Sequence, residues 1–213
     1  MVCPDKAPVM RPVGRSLLKQ CLMLDVDGVL VHPQNGRSWA EDMKRDLGID
    51  PDRLATDFFN AHWPDVILGR KPLRDALETC LPALSDAVSA ETFMSYWFER
   101  DSAVDVAVLE DLRALKQNGL KVYLATNQEH QRARYLMDAM GFAAHVDGII
   151  YSAALGVKKP SAAFFAQAEA RTGFSAHQIV FVDDAKANVD AACARGWTAC
   201  HWSGADRLID LVA

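Results

Sequence analysis

The fold can be worked out from one short segment, Leu22-Met23-Leu24-Asp25-Val26-Asp27-Gly28-Val29-Leu30. Its apolar first part predicts a short strand that is buried on both faces, as strands of a parallel sheet are. Asp25 and Asp27 stand where this strand ends, and residues two apart on a strand share a face. Gly28 allows the chain to turn there without a steric penalty. The segment therefore predicts two carboxylates that reach one point.

Two neighbouring carboxylates repel each other unless a proton or a divalent cation lies between them. Mg²⁺ prefers carboxylate and carbonyl oxygens, so this pair is a candidate metal site. The alternative is that Asp25 and Asp27 only cap a loop or the helix that follows. The Asp-x-Asp-Gly pattern alone does not separate these two interpretations, and the rest of the chain has to do so.

Composition limits the classes to which the chain can belong. Its 213 residues are half hydrophobic and carry a net charge of −5, which argues against a nucleic-acid partner. No apolar run approaches the ~20 residues needed to span a bilayer. The five cysteines include no Cys-x-x-Cys pair, which favours reduced thiols in a cytoplasmic protein. Residues 1–18 hold three prolines and no secretion-signal pattern, so they predict a flexible N-terminal tail.

Strand and helix patterns alternate over residues 19–32 and 103–213, which predicts a doubly wound parallel sheet of the α/β class. The segment between these ranges, residues 33–102, shows only helical patterns and predicts an inserted all-helical cap. Within it, Ser38 and Glu41 form a capping-box pattern that predicts a helix beginning at Trp39. Another helical stretch is predicted over residues 84–88.

Polar side chains recur where the predicted strands end. Ligands of doubly wound sheets bind beyond the carboxyl ends of the strands, so these side chains predict one common site. In chain order they are Asp25 and Asp27, then Thr126 and Asn127, then Lys159, then Asp183 and Asp184 with Asn188 one helical turn later.

These residue types suit phosphoryl transfer. One aspartate can attack phosphorus, and a second can protonate the leaving oxygen and then activate water. A metal ion would offset the repulsion between a carboxylate and a phosphate. Hydroxyl, amide and ammonium groups would stabilise the charge that develops in the transition state.

The order Asp-Val-Asp-Gly, Thr-Asn, Lys-Pro and Asp-Asp-x-x-x-Asn resembles the four motifs of the haloacid dehalogenase-like (HAD) hydrolase superfamily. The resemblance covers about residues 20–205. It is closest to the subgroup with a small helical cap between the first and second motifs, which includes the phosphatase domain of soluble epoxide hydrolases and bacterial sugar-phosphate phosphatases. The resemblance implies a HAD-like Rossmannoid core, hydrolytic activity and Mg²⁺ as cofactor.

The resemblance also implies roles for the residues of the first two motifs. Asp25 matches the nucleophile, and Asp27 matches the general acid and base whose backbone carbonyl also binds the metal. Thr126 and Asn127 match the pair that binds phosphate.

The last two motifs supply the lysine and the remaining acids. Lys159 matches the lysine that steadies the nucleophile and the phosphate, although spacing alone leaves Lys158 as an alternative. Asp184 matches the principal carboxylate ligand of Mg²⁺, with Asp183 supporting it. Asn188 matches a polar residue that orients this region, and we also expect it to contribute to phosphate binding.

The expected function is therefore a Mg²⁺-dependent phosphatase that hydrolyses a small phosphorylated metabolite through an aspartyl-phosphate intermediate. A 2-haloacid dehalogenase and a phosphosugar mutase of the same superfamily are the alternatives. Dehalogenases lack the second acid that Asp27 provides, and a mutase needs a cap that reorients a bisphosphate intermediate. A non-enzymatic binding module would be expected to have lost one of the motif residues. The sequence does not identify the substrate or the oligomeric state.

Overall fold

The structure is a computed structural model that describes residues 19–212. The N-terminal tail predicted over residues 1–18 lies outside the described residues. None of the helices in the described range is both long enough and apolar enough to cross a bilayer.

Strands of the described chain form one large sheet and one small one. Five strands form the large sheet in the order β5-β4-β1-β6-β7, and every neighbouring pair is parallel. The central strand is therefore β1, the strand that directly precedes Asp25 and Asp27. In chain order the strands are β1 (Cys21–Leu24), β2 (Val31–His32), β3 (Ala103–Val104), β4 (Lys121–Thr126), β5 (Gly148–Tyr151), β6 (Ile179–Asp183) and β7 (Thr198–His201).

Helices cover both faces of the large sheet, as the alternation of strand and helix patterns predicts. Successive residues of β1 point into different apolar clusters: Leu22 and Leu24 pack into one, and Cys21 and Met23 into the other. The doubly wound α/β fold is thus confirmed. The helices that follow β3 are α6 (Val106–Gln117), α7 (His130–Arg134), α8 (Ser152–Leu155), α9 (Ala162–Thr172), α10 (Lys186–Ala194) and α11 (Leu208–Val212).

Between β2 and β3 the described chain is helical and has an apolar cluster of its own, rich in aromatic side chains such as Phe58, Phe93 and Trp97. Its helices are α1 (Met43–Leu47), α2 (Pro51–Leu54), α3 (Trp63–Val66), α4 (Leu73–Leu84) and α5 (Ala90–Arg100), with a π-helical segment over Ala55–Asn60. We refer to residues 33–102 as the insert.

The insert joins the core through a two-stranded antiparallel ribbon, in which Val31 pairs with Val104 and His32 pairs with Ala103. This ribbon coincides with the boundaries predicted from sequence at residues 32 and 103. The sequence patterns did not predict strands there, because two residues are too few to show an alternation. The division into independent domains stays a prediction.

Two local helix predictions in the insert are wrong. The first helix begins at Met43 rather than at Trp39, because the Glu41 carboxylate pairs with Arg37 at 2.9 Å instead of returning to Ser38. The stretch over residues 84–88 is not helical, since α4 ends at Leu84 and the next residue, Ser85, has extended backbone angles.

Candidate active site

Lys159 lies at the centre of the predicted site. Its side chain is 1% exposed, and its Nζ is 2.9 Å from Asp25 Oδ1 and 2.5 Å from Asp183 Oδ2. The two carboxylates come from the ends of β1 and β6, which are neighbours in the sheet. Lys158, the alternative left open by spacing, is exposed. The structure therefore brings Lys159, and not its neighbour, to Asp25.

Asp25 is a buried carboxylate with one oxygen fully occupied. Its Oδ1 accepts hydrogen bonds from the Val26 backbone N–H at 2.8 Å and from Lys159. Its Oδ2 receives no hydrogen bond from residues 19–212, so it is the oxygen left for a ligand. Burial raises the pKa of Asp25 to about 7, against the opposing effect of Lys159 and with a further increase from Asp183.

Asp183 is fully buried and holds other groups in place. It accepts hydrogen bonds from Lys159, from Asn188 Nδ2 at 2.9 and 3.0 Å, and from the Ala185 backbone N–H at 2.8 Å. These donors occupy both carboxylate oxygens. Asp183 therefore fixes Lys159, and Asn188 in turn fixes Asp183.

Three carboxylates could hold a metal ion here. Asp25, Asp183 and Asp184 each offer an oxygen, and these oxygens lie within 4.8 Å of one another. Asp184 is exposed, and burial together with the charge of Asp183 raises the pKa of Asp184. Gly28 packs directly against it: a Cβ at Gly28, where φ is +78°, would overlap Asp184 Oδ2. An all-oxygen set of this kind fits a hard cation such as Mg²⁺.

Asp27 follows β1 at the same edge of the sheet. Its side chain is exposed to solvent, and Gln128 Nε2 donates a hydrogen bond to its Oδ2 at 2.5 Å. Protein nevertheless surrounds it closely enough for desolvation to raise the pKa of Asp27 to about 6, while Arg132 lowers that pKa and Asp101 raises it. A carboxyl group that titrates near neutral pH can both give and take a proton.

Thr126 is the last residue of β4, which pairs with the central strand, and Asn127 follows it directly. Thr126 is 1% exposed. The Asn127 side chain pairs with the backbone of Lys159: its Oδ1 accepts the Lys159 N–H at 2.8 Å, and its Nδ2 donates to the Lys159 carbonyl at 3.1 Å. Asn127 thus positions the lysine segment. Phosphate binding by Thr126, Asn127 and Asn188 stays a prediction.

Arg132 is a buried cation near the site that sequence reasoning missed. It is 4% exposed, and its guanidinium donates to the backbone carbonyls of Phe98, at 3.1 Å, and Asp101. Burial lowers the pKa of Arg132, and the carboxylates of Asp27 and Asp101 partly offset this. Its partners are backbone oxygens of the insert, and no residue type in the sequence signals such a contact.

Comparison with known proteins identifies relatives of this chain. Residues 19–194 match the family described as haloacid dehalogenase-like hydrolase. The sesquiterpene phosphatase astK of Aspergillus oryzae is 34% identical over 103 residues, which cover 46% of this chain and 50% of that protein. The match therefore spans about half the length of this curated relative.

Solved structures share the fold. The HAD family enzyme BT-2542 of Bacteroides thetaiotaomicron superposes with a TM-score of 0.79 at 16% identity, covering 92% of this chain and 99% of that one. Its complex with magnesium and inorganic phosphate gives a TM-score of 0.73 at 15% identity, covering 91% and 99%. The L-2-haloacid dehalogenase of Xanthobacter autotrophicus gives 0.61 at 20% identity, covering 86% and 77%. Because the family match extends over most of the chain, this protein is an enzyme of the haloacid dehalogenase-like hydrolase family.

Proposed function

We propose that this enzyme is a Mg²⁺-dependent phosphatase that hydrolyses a small phosphorylated metabolite through an aspartyl phosphate on Asp25. The observation that carries the proposal is the convergence of the Asp25, Asp183 and Asp184 carboxylates within 4.8 Å, with the Lys159 ammonium against two of them. Burying two acids, Asp25 and Asp183, against one cation is costly, and such an arrangement points to a ligand or a reaction that it serves. The phosphatase named among the relatives supports the same choice.

The proposed metal ligands are Asp25 and Asp184, with Asp27 contributing its backbone carbonyl as the family resemblance implies. Asp183 has hydrogen-bond donors on both oxygens, so we assign it a supporting role next to the ion. When bound, Mg²⁺ neutralises phosphate charge that would otherwise repel an attacking carboxylate. Magnesium and phosphate in the BT-2542 complex support this choice of ion.

The chain's own residues then divide the chemistry. Asp25 attacks phosphorus through one of its carboxylate oxygens. The P–O bond to the substrate's alcohol breaks, and Asp27 gives its proton to that oxygen. In the second half of the reaction, Asp27 takes a proton from water, which attacks the aspartyl phosphate and releases inorganic phosphate. Lys159 holds Asp25 in place and stabilises the negative charge of the transition state.

The insert is proposed to act as a lid. It would cover the carboxyl edge of the sheet, exclude bulk water during phosphoryl transfer and select the substrate. Its attachment through the β2–β3 ribbon supports movement about that point, because only two short strands cross between the insert and the core. The nature of the phosphorylated substrate and a cytoplasmic location stay predictions.

Asp27 favours a phosphatase over a dehalogenase. A dehalogenase needs no group to protonate its leaving halide, whereas an alkoxide leaving group does need an acid. A phosphosugar mutase would use the same two aspartates. These residues therefore do not distinguish it from a phosphatase, and only the reaction product does.

The test is an assay of purified protein on a panel of phosphate esters, with Mg²⁺ and with EDTA. We expect inorganic phosphate release that EDTA abolishes, and that Asp25→Asn lowers by at least ~10³-fold. Asp190→Asn, which removes an exposed carboxylate on α10, is the matched control and should leave the rate unchanged. Halide release from 2-haloacids that is indifferent to EDTA would instead support the dehalogenase. Isomerised sugar phosphate without phosphate release would support the mutase.

A further inference from the structure

We propose that Gln128 is a positioning residue that fixes the direction of the Asp27 carboxylate. This inference rests on the proposed function, since it requires Asp27 to pass a proton to the leaving oxygen. Gln128 lies between β4 and α7, is 5% exposed, and donates from Nε2 to Asp27 Oδ2 at 2.5 Å. Among residues 19–212 it is the one side chain that hydrogen-bonds Asp27.

In this structure Gln128 donates an amide N–H to Asp27, so the oxygen that it contacts, Oδ2, is one that carries no proton. The proton of the neutral acid is thereby directed to the other oxygen, Oδ1. When phosphorus is transferred to Asp25, the bond from phosphorus to the alcohol oxygen breaks and that oxygen takes the Oδ1 proton, which leaves Asp27 as a carboxylate. Without Gln128 the exposed carboxyl group would rotate between orientations, and only some of them present the proton to the substrate.

Gln128 is itself fixed where the insert rests on the core. Its backbone carbonyl accepts hydrogen bonds from Ser152 Oγ at 3.0 Å and from the Ala153 N–H at 3.1 Å. Ser152 is fully buried, and its Oγ is also 2.7 Å from the carbonyl of Ile67 in the insert. A hydroxyl has one proton, so Ser152 shares it between the insert and Gln128. The backbone of Gly69 packs against Ala153 at the same place.

A second contact with the insert lies one helical turn further along. Arg132 donates to the carbonyls of Phe98 and Asp101, where α5 ends and the chain returns to the core. The segment from Gln128 to Arg132 is therefore linked to the insert at both ends, through Ser152 at Gln128 and directly at Arg132. Docking of the insert fixes Gln128, and Gln128 in turn aligns Asp27.

The experiment compares Gln128→Met with Gln131→Met. Both substitutions replace a glutamine by an apolar side chain of similar length, but Gln131 Oε1 makes no hydrogen bond within the described chain. We would measure kcat/KM for a series of aryl phosphates and one alkyl phosphate. Gln128→Met should lose about 10- to 100-fold on the alkyl phosphate, which needs an acid, and little on 4-nitrophenyl phosphate, which does not. Gln131→Met should match the parent on every substrate.

A double mutant separates positioning from a general structural effect. In the Asp27→Asn background, Gln128→Met should cost nothing further on phenyl phosphate, because the group that it positions is already disabled. Equal losses on all leaving groups, or losses that add to those of Asp27→Asn, would overturn the inference. Gln128→Leu, which also removes the amide donor, provides the same test if Gln128→Met does not fold.

The link to the insert has its own readout. Ser152→Ala should show the same dependence on the leaving group with a smaller loss, about 3- to 10-fold, because the Ala153 N–H still holds the Gln128 carbonyl. A uniform loss in Ser152→Ala would overturn that link. A parent enzyme that releases no phosphate, or an Asp25→Asn variant equal to the parent, would instead remove the proposed function, so the two failures are distinct.

Discussion

Lys159→Met should destabilise the fold as well as inactivate the enzyme, because it removes the cation between two buried carboxylates. The lysine side chain is 1% exposed, and its Nζ contacts Asp25 at 2.9 Å and Asp183 at 2.5 Å. Methionine fills a similar volume, so the change mainly removes charge and hydrogen bonds. The result tests whether this ion cluster is part of the stability of the core.

The size of the effect follows from these contacts. At an effective dielectric constant of about 20, each contact contributes about 6 kcal/mol of Coulomb attraction. Desolvation of the buried lysine offsets several kcal/mol of this, and Asp25, whose pKa is raised to about 7, can take up a proton in the variant. Loss of one partner of a buried ion pair typically costs about 3–5 kcal/mol. In a chain of this length that corresponds to a decrease in Tm of about 6–20 °C.

The assay is urea and thermal unfolding in EDTA at pH 7, with the exposed Lys186→Met as control. The control should leave the midpoint unchanged, because exposed ion pairs contribute little. Adding Asp183→Asn to Lys159→Met should restore part of the lost stability, since it removes a carboxylate left without its cation. A loss below ~1 kcal/mol for Lys159→Met, or no recovery in the double variant, would refute the reasoning.

Three further predictions concern other parts of the structure. Gly28→Ala should reduce the rise in Tm that Mg²⁺ produces, because the added Cβ would displace Asp184. Gly156→Ala is the control, since Gly156 also has a positive φ, +69°, but has open space around it, and this variant should keep the full rise. An equal rise in the two variants would contradict the prediction. Asp184→Asn should abolish most of the rise in Tm that Mg²⁺ produces in the parent, and an unchanged rise would remove Asp184 from the metal site. Burial raises the pKa of Asp111, but hydrogen bonds from Arg207 outweigh burial and hold that pKa below its ordinary value. The resulting stability is present above about pH 4 and is lost as pH falls through the lowered pKa. Asp111→Asn should therefore cost about 1–3 kcal/mol in urea unfolding at pH 7 and progressively less as the pH is lowered below about 4; a cost independent of pH would be the contrary result.

Sequence patterns were sufficient to predict the parallel sheet and to predict that acids from two of its strands lie at the same edge. Parallel strands end at one edge, so the approach of Asp25 to Asp183 followed from strand order once the strands were recognised, whereas the choice of Lys159 over Lys158 required the structure. The alternation of apolar strands and amphipathic helices was strong enough to identify the core. Both features are properties of residue type and spacing, which a sequence shows directly.

Hydrogen-bond partners could not be obtained in the same way. Asn127 and Asn188 are predicted to bind phosphate, and the structure adds contacts of their side chains with the Lys159 backbone and the Asp183 carboxylate that the sequence does not show. An amide can bond in any of several directions, and only side-chain torsions decide among them. The contacts of Arg132 could not be predicted because its partners are backbone carbonyls that are distant in the sequence. The Ser38 capping box failed because a nearby cation competed for Glu41.

The β2–β3 ribbon brings both ends of the insert side by side, with paired residues about 5 Å apart. A segment whose entrance and exit are adjacent can be lengthened, shortened or exchanged without altering the order of the five sheet strands. The insert can thus be replaced by a different segment while the acids and the lysine of the core keep their positions. Grafting the corresponding segment of a relative between His32 and Ala103 would test the proposal that the insert selects the substrate.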